Sequence, residues 1–344
     1  MKIVIAIVIF SIIILFHELG HFLLAKKNGI RVNEFSLGLG PTLFGFTKGE
    51  TKYSIKLLPF GGACMMEGED EESNDNRAFS NKSVWARISV VAAGPIFNFV
   101  MAWFFALILL TCIGYDRPVI NNVIEGYSAK EAGMQAGDKI ISMNGYHVHF
   151  YREISQYSVF NPGKTAEIVY ERKGERHTTS LVPKLDEKSG NYLLGFTGSL
   201  ERSKGTVLQT ITHSFYEVKY WIHSTIESLR LLITGNVKIN DLSGPVGIVK
   251  LVGDTYETAQ ETDGTYLAML SMMNICIFLS ANLGVMNLLP IPALDGGRLV
   301  FLVIEAVRGK RVNPEKEGMV HFVGLVLLMG LMVFVMYNDI RNIF

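Results

Sequence analysis

Apolar positions dominate four long stretches of this chain. A helix needs roughly 20 such residues to cross a bilayer. Ile88–Tyr115, Leu267–Leu294 and Val320–Asn338 contain no Asp, Glu, Lys or Arg. Ile3–Ala25 is equally apolar but is interrupted by His17, Glu18 and His21. It runs straight into Lys26-Lys27 with no small-residue cleavage site, so it reads as a retained span and not as a signal peptide. Between the second and third spans the pattern changes. Residues 119–183 carry charges, turn signals and short β-rich runs such as Lys164–Tyr170, the pattern of a small domain of strands with a helix or two. Val207, Leu208, Ile211, Phe215, Val218, Ile222, Ile226, Leu229 and Ile233 then recur every three or four residues, as in an amphipathic helix. Tyr216, Tyr220 and Trp221 suit a helix lying on a membrane surface; packing on the small domain is the alternative.

Composition agrees with a membrane chain. Apolar residues make up 49% and charged residues 19% of the 344, and mean hydropathy is positive. Net charge is zero, which gives no reason to expect a nucleic-acid partner. Cys64, Cys112 and Cys276 are scattered, which excludes a disulfide framework. Basic residues cluster after span 1 (Lys26, Lys27, Arg31 and onward to Arg87) and between spans 3 and 4 (Arg308, Lys310, Arg311, Lys316). The positive-inside rule makes both cytoplasmic and puts residues 116–266 outside.

The chemistry lies in the interrupted span. In His17-Glu18-Leu19-Gly20-His21 the two histidines are four apart, on one helix face, and suit one zinc ion. Glu18 projects near a water that such an ion would activate, and it suits general base and acid work. An ionised side chain in a membrane helix costs roughly 2.5 kcal/mol or more, so three ionisable residues there point to function. Catalytic zinc takes a third protein ligand. Asp295 is the best placed, in Asn287-Leu-Leu-Pro-Ile-Pro-Ala-Leu-Asp-Gly-Gly297. The prolines break the helix there, and irregular backbone at membrane depth survives only in protein or against water. Spans 1 and 3 run in the same direction, so all three ligands fall at similar depth. The other histidines show no paired spacing at that depth.

With these motifs together, the chain resembles the site-2 protease family, in its bacterial RseP/RasP-type branch. His17-Glu18-x-x-His21 and Asn287-x-x-Pro290-x-Pro292-x-Leu294-Asp295-Gly296 are similar to its two zinc motifs. Gly94-Pro95-Ile96-Phe97-Asn98 and Ser243-Gly244-Pro245-Val246-Gly247 resemble two further family strings. The resemblance implies a polytopic α-helical membrane protein with about four transmembrane helices, a re-entrant β-hairpin and an extracytoplasmic PDZ-like α/β domain. It implies zinc on His17, His21 and Asp295, Glu18 as base and acid, and Asn98 and Asn287 on the substrate backbone. The implied hairpin covers residues 54–68, with Gly61 and Gly62 gripping substrate. Here the chain departs from the family's Tyr-Val-Lys, having Ala63-Cys64-Met65. Glu125–Gly133 and Ala136–Gly145 resemble a PDZ domain, implied either to filter trimmed substrates or to capture peptides at its edge.

The expected organisation is therefore a membrane half over 1–115, a PDZ-like domain over 116–186, a linker with the surface helix 206–234 over 187–266, and a second membrane half over 267–344. The expected activity is zinc-dependent cleavage of single-span membrane proteins, anti-sigma-factor-like substrates or remnant signal peptides, in the cell membrane near its cytoplasmic side. The competing reading is an inactive membrane scaffold with peptide recognition, against which the retained Glu18 speaks. A metal transporter would need ionisable residues through several spans, which span 2 lacks.

Overall fold

The computed structural model describes residues 2–69, 73–187, 189–199, 201–235 and 243–343. In chain order its elements are α1 (Lys2–Lys27), β1 (Val32–Lys48), β2 (Thr51–Met66), α2 (Val84–Ile113), β3 (Tyr115–Asp116), β4 (Ile120–Val123), α3 (Ser128–Glu131), β5 (Lys139–Met143), β6 (Tyr146–His147), α4 (Tyr151–Phe160), β7 (Ala166–Arg172), β8 (Glu175–Leu181), β9 (Lys184–Leu185), β10 (Tyr192–Leu193), β11 (Phe196–Gly198), β12 (Arg202–Ser203), α5 (Val207–Ile233), α6 (Pro245–Leu288), α7 (Asp295–Arg308) and α8 (Pro314–Ile343). The chain divides into two compact units, residues 1–105 with 238–344 and residues 106–237.

Four helical segments are long and apolar enough to cross a membrane: Lys2–Lys27, Val84–Ile113, Gly264–Leu288 and Pro314–Arg341. The third differs from its sequence reading at both ends. Its helix starts at Pro245 and breaks at Gly264, whose φ of 80° a glycine adopts without cost. The charged first part packs Ile248, Val249 and Val252 onto Ala6, Ile9 and Ile13 of α1, and Lys2 reaches Asp254 and Glu257 at 2.8 and 2.7 Å. The helix stops at Leu288, short of Leu294, because Pro290 and Pro292 have no N–H to continue it. Asp339 of α8 caps the start of α6, accepting from the Gly244 and Gly247 amides at 2.9 and 2.8 Å.

The hairpin is larger than expected. It covers Val32–Met66 with its turn at Gly49, φ 65°, so residues 54–68 are chiefly its second strand. The Leu58–Gly62 string bends that strand and does not close the hairpin. The first part of β1 faces both parts of β2: Phe35 stands opposite Tyr53 and also opposite Cys64. Residues 62–66 thus form an edge with no described strand on their outer side.

The second unit centres on a four-stranded sheet in the order β6-β5-β7-β8. Ala166, Ile168 and Tyr170 alternate inward along β7 and join Ile140, Met143, Ile154 and Leu181 in the core. β11 pairs with β4, and β12 pairs with β3, so the ends of the unit are clamped together. Helix α5 packs through Thr210, Ser214, Glu217, Val218 and Thr225 and leaves Val207, Leu208, Phe215, Ile226 and Ile233 exposed. Glu217 is buried and accepts from Arg152, whose guanidinium lies over the Phe150 and Tyr220 rings at 4.5 and 4.6 Å.

Candidate metal centre

His17 and His21 face one way from α1 because they are one helical turn apart. Asp295 reaches them from the first residue of α7. His17 Nε2 lies 3.2 Å from Asp295 Oδ2 and 3.2 Å from His21 Nε2, and His21 Nε2 lies 3.4 Å from Asp295 Oδ2. The three residues form the one group among the described residues that can hold a metal ion. His21 Nδ1 lies 2.9 Å from the Val90 carbonyl. A carbonyl only accepts, so Nδ1 carries the proton and Nε2 presents a lone pair. Asp295 Oδ2 is buried with no hydrogen-bond partner. Lone pairs crowded this closely repel one another unless a proton or a metal cation sits among them. Zinc with ligands at about 2.0–2.1 Å in tetrahedral array needs its donors about 3.3 Å apart, and the observed spacing fits.

Helix α2 forms the wall behind this group. A β-carbon on Gly94 would stand 2.3 Å from His21 Nε2 and 2.7 Å from His17 Cε1. One on Gly20 would stand 2.4 Å from the Ala93 carbonyl oxygen. Gly20 therefore lets α1 lie on the backbone of α2, and Gly94 lets the two imidazoles lie against α2. Pro95 cannot donate to Val91, which loosens the ladder next to Val90. Asn98 is fully buried, with its side-chain amide 3.2 Å from His17 Nδ1 and its carbonyl accepting from Ser280. The backbone acceptor at Val90 has no signature in sequence. Gly94 was legible only as part of the Gly-Pro-Ile-Phe-Asn string.

Glu18 stands outside the three-residue group and makes no hydrogen bond among the described residues. Gly62 lies against it: a β-carbon there would stand 2.9 Å from Glu18 Cγ and 2.9 Å from Ile14. Gly61 has φ 83° and faces Leu39. Asn287 sits half-buried in the last turn of α6, and its amide is unpaired among the described residues. The loop after it folds back so that Gly296 and Gly297 meet the carbonyls of Leu289 and Ile291, which aims Asp295. Gly324 packs on Pro292, and the Ala293 amide donates to His321 Nδ1 at 2.9 Å, so α8 braces the same loop.

A family model described as Peptidase family M50 matches residues 5–331. The chain is 38% identical over 339 residues to a protein of Clostridium acetobutylicum, covering 98% of this chain and 97% of that one. It is 33% identical to the zinc metalloprotease RasP of Geobacillus kaustophilus, covering 98% and 97%. It is 31% identical to the regulator of sigma-W protease RasP of Bacillus subtilis, covering 98% of each. Among solved structures, the PDZ domain of an SdrC-like protein from Listeria monocytogenes matches 25% of this chain and 90% of its own length. That match has 23% identity and a TM-score of 0.22, too loose a superposition to fix the fold of the second unit.

Proposed function

This chain belongs to peptidase family M50 and is a zinc metalloendopeptidase with several membrane spans, and from that premise we propose that it cuts peptide bonds within or next to the helices of single-span membrane proteins. The observation that carries this reading is the convergence of His17, His21 and Asp295 from two helices, next to a free Glu18. The three hold zinc. When bound, zinc supplies Lewis acidity, which polarises the scissile carbonyl and brings the pKa of a water molecule to about 7. Glu18 takes the proton of the attacking water and returns it to the leaving amine. Val90 fixes His21 through its Nδ1 proton. Asn98 does the same for His17 once its amide is turned to present Oδ1, since amide oxygen and nitrogen are interchangeable by a half-turn.

A transmembrane helix has no free backbone groups, so the substrate must unwind before it is cut. The outer side of residues 62–66 offers an unpaired strand edge for it, next to Glu18. Gly61 and Gly62 keep that approach clear, and the Asn287 amide can both donate to and accept from the added strand. Exposed Leu39, Leu43, Phe44 and Phe46 support insertion of the hairpin into lipid as a re-entrant element. The basic clusters favour a cytoplasmic active site in the cell membrane, with the second unit outside. Anti-sigma-factor-like proteins and remnant signal peptides are the proposed substrates. The Bacillus subtilis relative, named a regulator of sigma-W, supports the first class.

The second unit is read as a PDZ-like substrate filter. The Tyr151 hydroxyl donates to the Phe196 carbonyl at 3.1 Å, and its ring lies where a β-carbon on Gly198 would be. It therefore occupies the outer side of β11, which favours filtering over peptide capture there. The test of the catalytic reading is Glu18→Gln, assayed on a purified transmembrane peptide. Cleavage should disappear while zinc remains. Equal turnover by variant and parent would remove Glu18 from the mechanism.

A further inference from the structure

The second unit holds a polar cavity whose charge is unbalanced. It measures about 390 Å³, and its walls include Tyr115, Arg117, Lys139, His149, Lys204 and His213. No carboxylate among the described residues lines it, and none of the three cations makes an ion pair among them. The topology causes the convergence. β3 pairs with β12, Tyr115 opposite Ser203, which brings Arg117 and Lys204 together where the chain enters and leaves the unit. Lys139 joins them through its bridge to Val119. Aromatic stacks stiffen the walls: Tyr115 lies 3.6 Å from His213 and Tyr216 lies 3.5 Å from His149, centroid to centroid. His213 Nδ1 donates to the Gln209 carbonyl at 2.8 Å, which leaves Nε2 available. Burial, followed by the charges of Lys219, His213 and His147, pushes His149 down to about 4. The cavity is positive before any ligand arrives.

Its place in the chain indicates the ligand. Tyr115 follows the last residue of the α2 span by two positions, and Lys204 precedes α5 by three. Val207 and Leu208, in the first turn of α5, are 79% and 74% exposed. Apolar side chains left bare next to unpaired cations are the pattern of an interfacial helix on anionic lipid. We propose that this cavity binds the phosphate of an anionic phospholipid headgroup, with the first turn of α5 in the adjoining acyl region. The lipid would anchor the root of the second unit, independently of the peptidase reading.

The test uses the full-length protein in micelles with ¹³C-labelled histidine, titrated with short-chain phosphatidylglycerol, short-chain phosphatidylcholine and inorganic phosphate. Phosphatidylglycerol should shift the His149 and His213 resonances saturably, at least tenfold more tightly than either alternative. Arg117→Gln, Lys139→Gln and Lys204→Gln should each weaken it about fivefold, and all three together about a hundredfold, the scale of one Lys or Arg near an anionic surface. Zinc content, unchanged in the single variants, reports that they are folded. Inorganic phosphate binding as tightly as the lipid would make this a free-anion site and overturn the lipid assignment. Shifts that persist unchanged in the single variants would overturn the cavity itself.

Discussion

Replacing Gly94 with alanine tests the metal centre without touching a ligand. The added carbon would lie 2.3 Å from His21 Nε2, 2.5 Å from His21 Cε1 and 2.7 Å from His17 Cε1. Ordinary contact between such atoms is about 3.5 Å, so something must yield by about 1 Å. The backbones have little room to yield, because α1 already meets the Ala93 carbonyl at Gly20. The imidazoles must move instead, and a zinc ligand tolerates about 0.2 Å. At least one ligand is lost, so zinc affinity should fall by well over the 10–100-fold typical of losing an outer-shell partner. Overpacking alone costs about 1–3 kcal/mol of stability. Gly284→Ala supplies an overpacking control, since its added carbon would meet the Phe99 ring at 2.6 Å and none of the three proposed ligands. Competition against a graded chelator measures affinity, and thermal unfolding of the full chain measures stability. Gly284→Ala should lose stability and keep zinc, whereas Gly94→Ala should lose both. Parental zinc affinity in Gly94→Ala would refute the packing of α2 against the two histidines.

Four further outcomes follow from the same geometry. Asn98→Ala should weaken zinc about 10–100-fold while Asn98→Asp, still an acceptor for His17, keeps most of it, read by the same competition. Glu217→Ala leaves Arg152 without its buried partner and should destabilise the second unit by about 3–5 kcal/mol, whereas Arg152→Met with Glu217→Met should cost much less, as thermal unfolding would show. Asp339→Ala removes the cap on α6 and should cost about 2 kcal/mol with zinc content unchanged. His149 titrates at about 4 when folded against an ordinary value near 6.5, so the unfolded state binds the extra proton. The second unit should therefore lose stability as pH falls from about 6.5 to about 4, and His149→Gln should flatten that loss in hydrogen exchange.

The spans, the two-histidine face and Asp295 were legible because each rests on local pattern: unbroken hydropathy, four-residue spacing, and a carboxylate beside a proline-broken helix. The amphipathic helix was equally legible, at 206–234 from sequence against Val207–Ile233 in the structure. Its orientation was not, because its packed face is largely polar: Thr210 and Ser214 donate to carbonyls of Thr206 and Ile211, and Glu217 is buried against Arg152 from α4. The expected hairpin bounds, 54–68, lie too late in the chain because they follow the family resemblance and the turn chemistry of Leu58–Gly62, whereas the hairpin turns at Gly49. Pairing of Phe35 with both parts of β2, a long-range event, decided the register. The break at Gly264 was hidden because a glycine within a helical pattern is usually tolerated. Val90, Gly94 and Asp339 act through close approach between helices distant in sequence, which no spacing rule reports.

The central claim is a zinc ion held by His17, His21 and Asp295 with Glu18 free beside it. Its most direct test is zinc per chain in purified full-length protein, comparing the parent with Glu18→Gln, His17→Ala and Asp295→Ala. One zinc per chain in the parent and in Glu18→Gln, with loss in the other two, is the predicted result. Full zinc in Asp295→Ala, or none in Glu18→Gln, would contradict it.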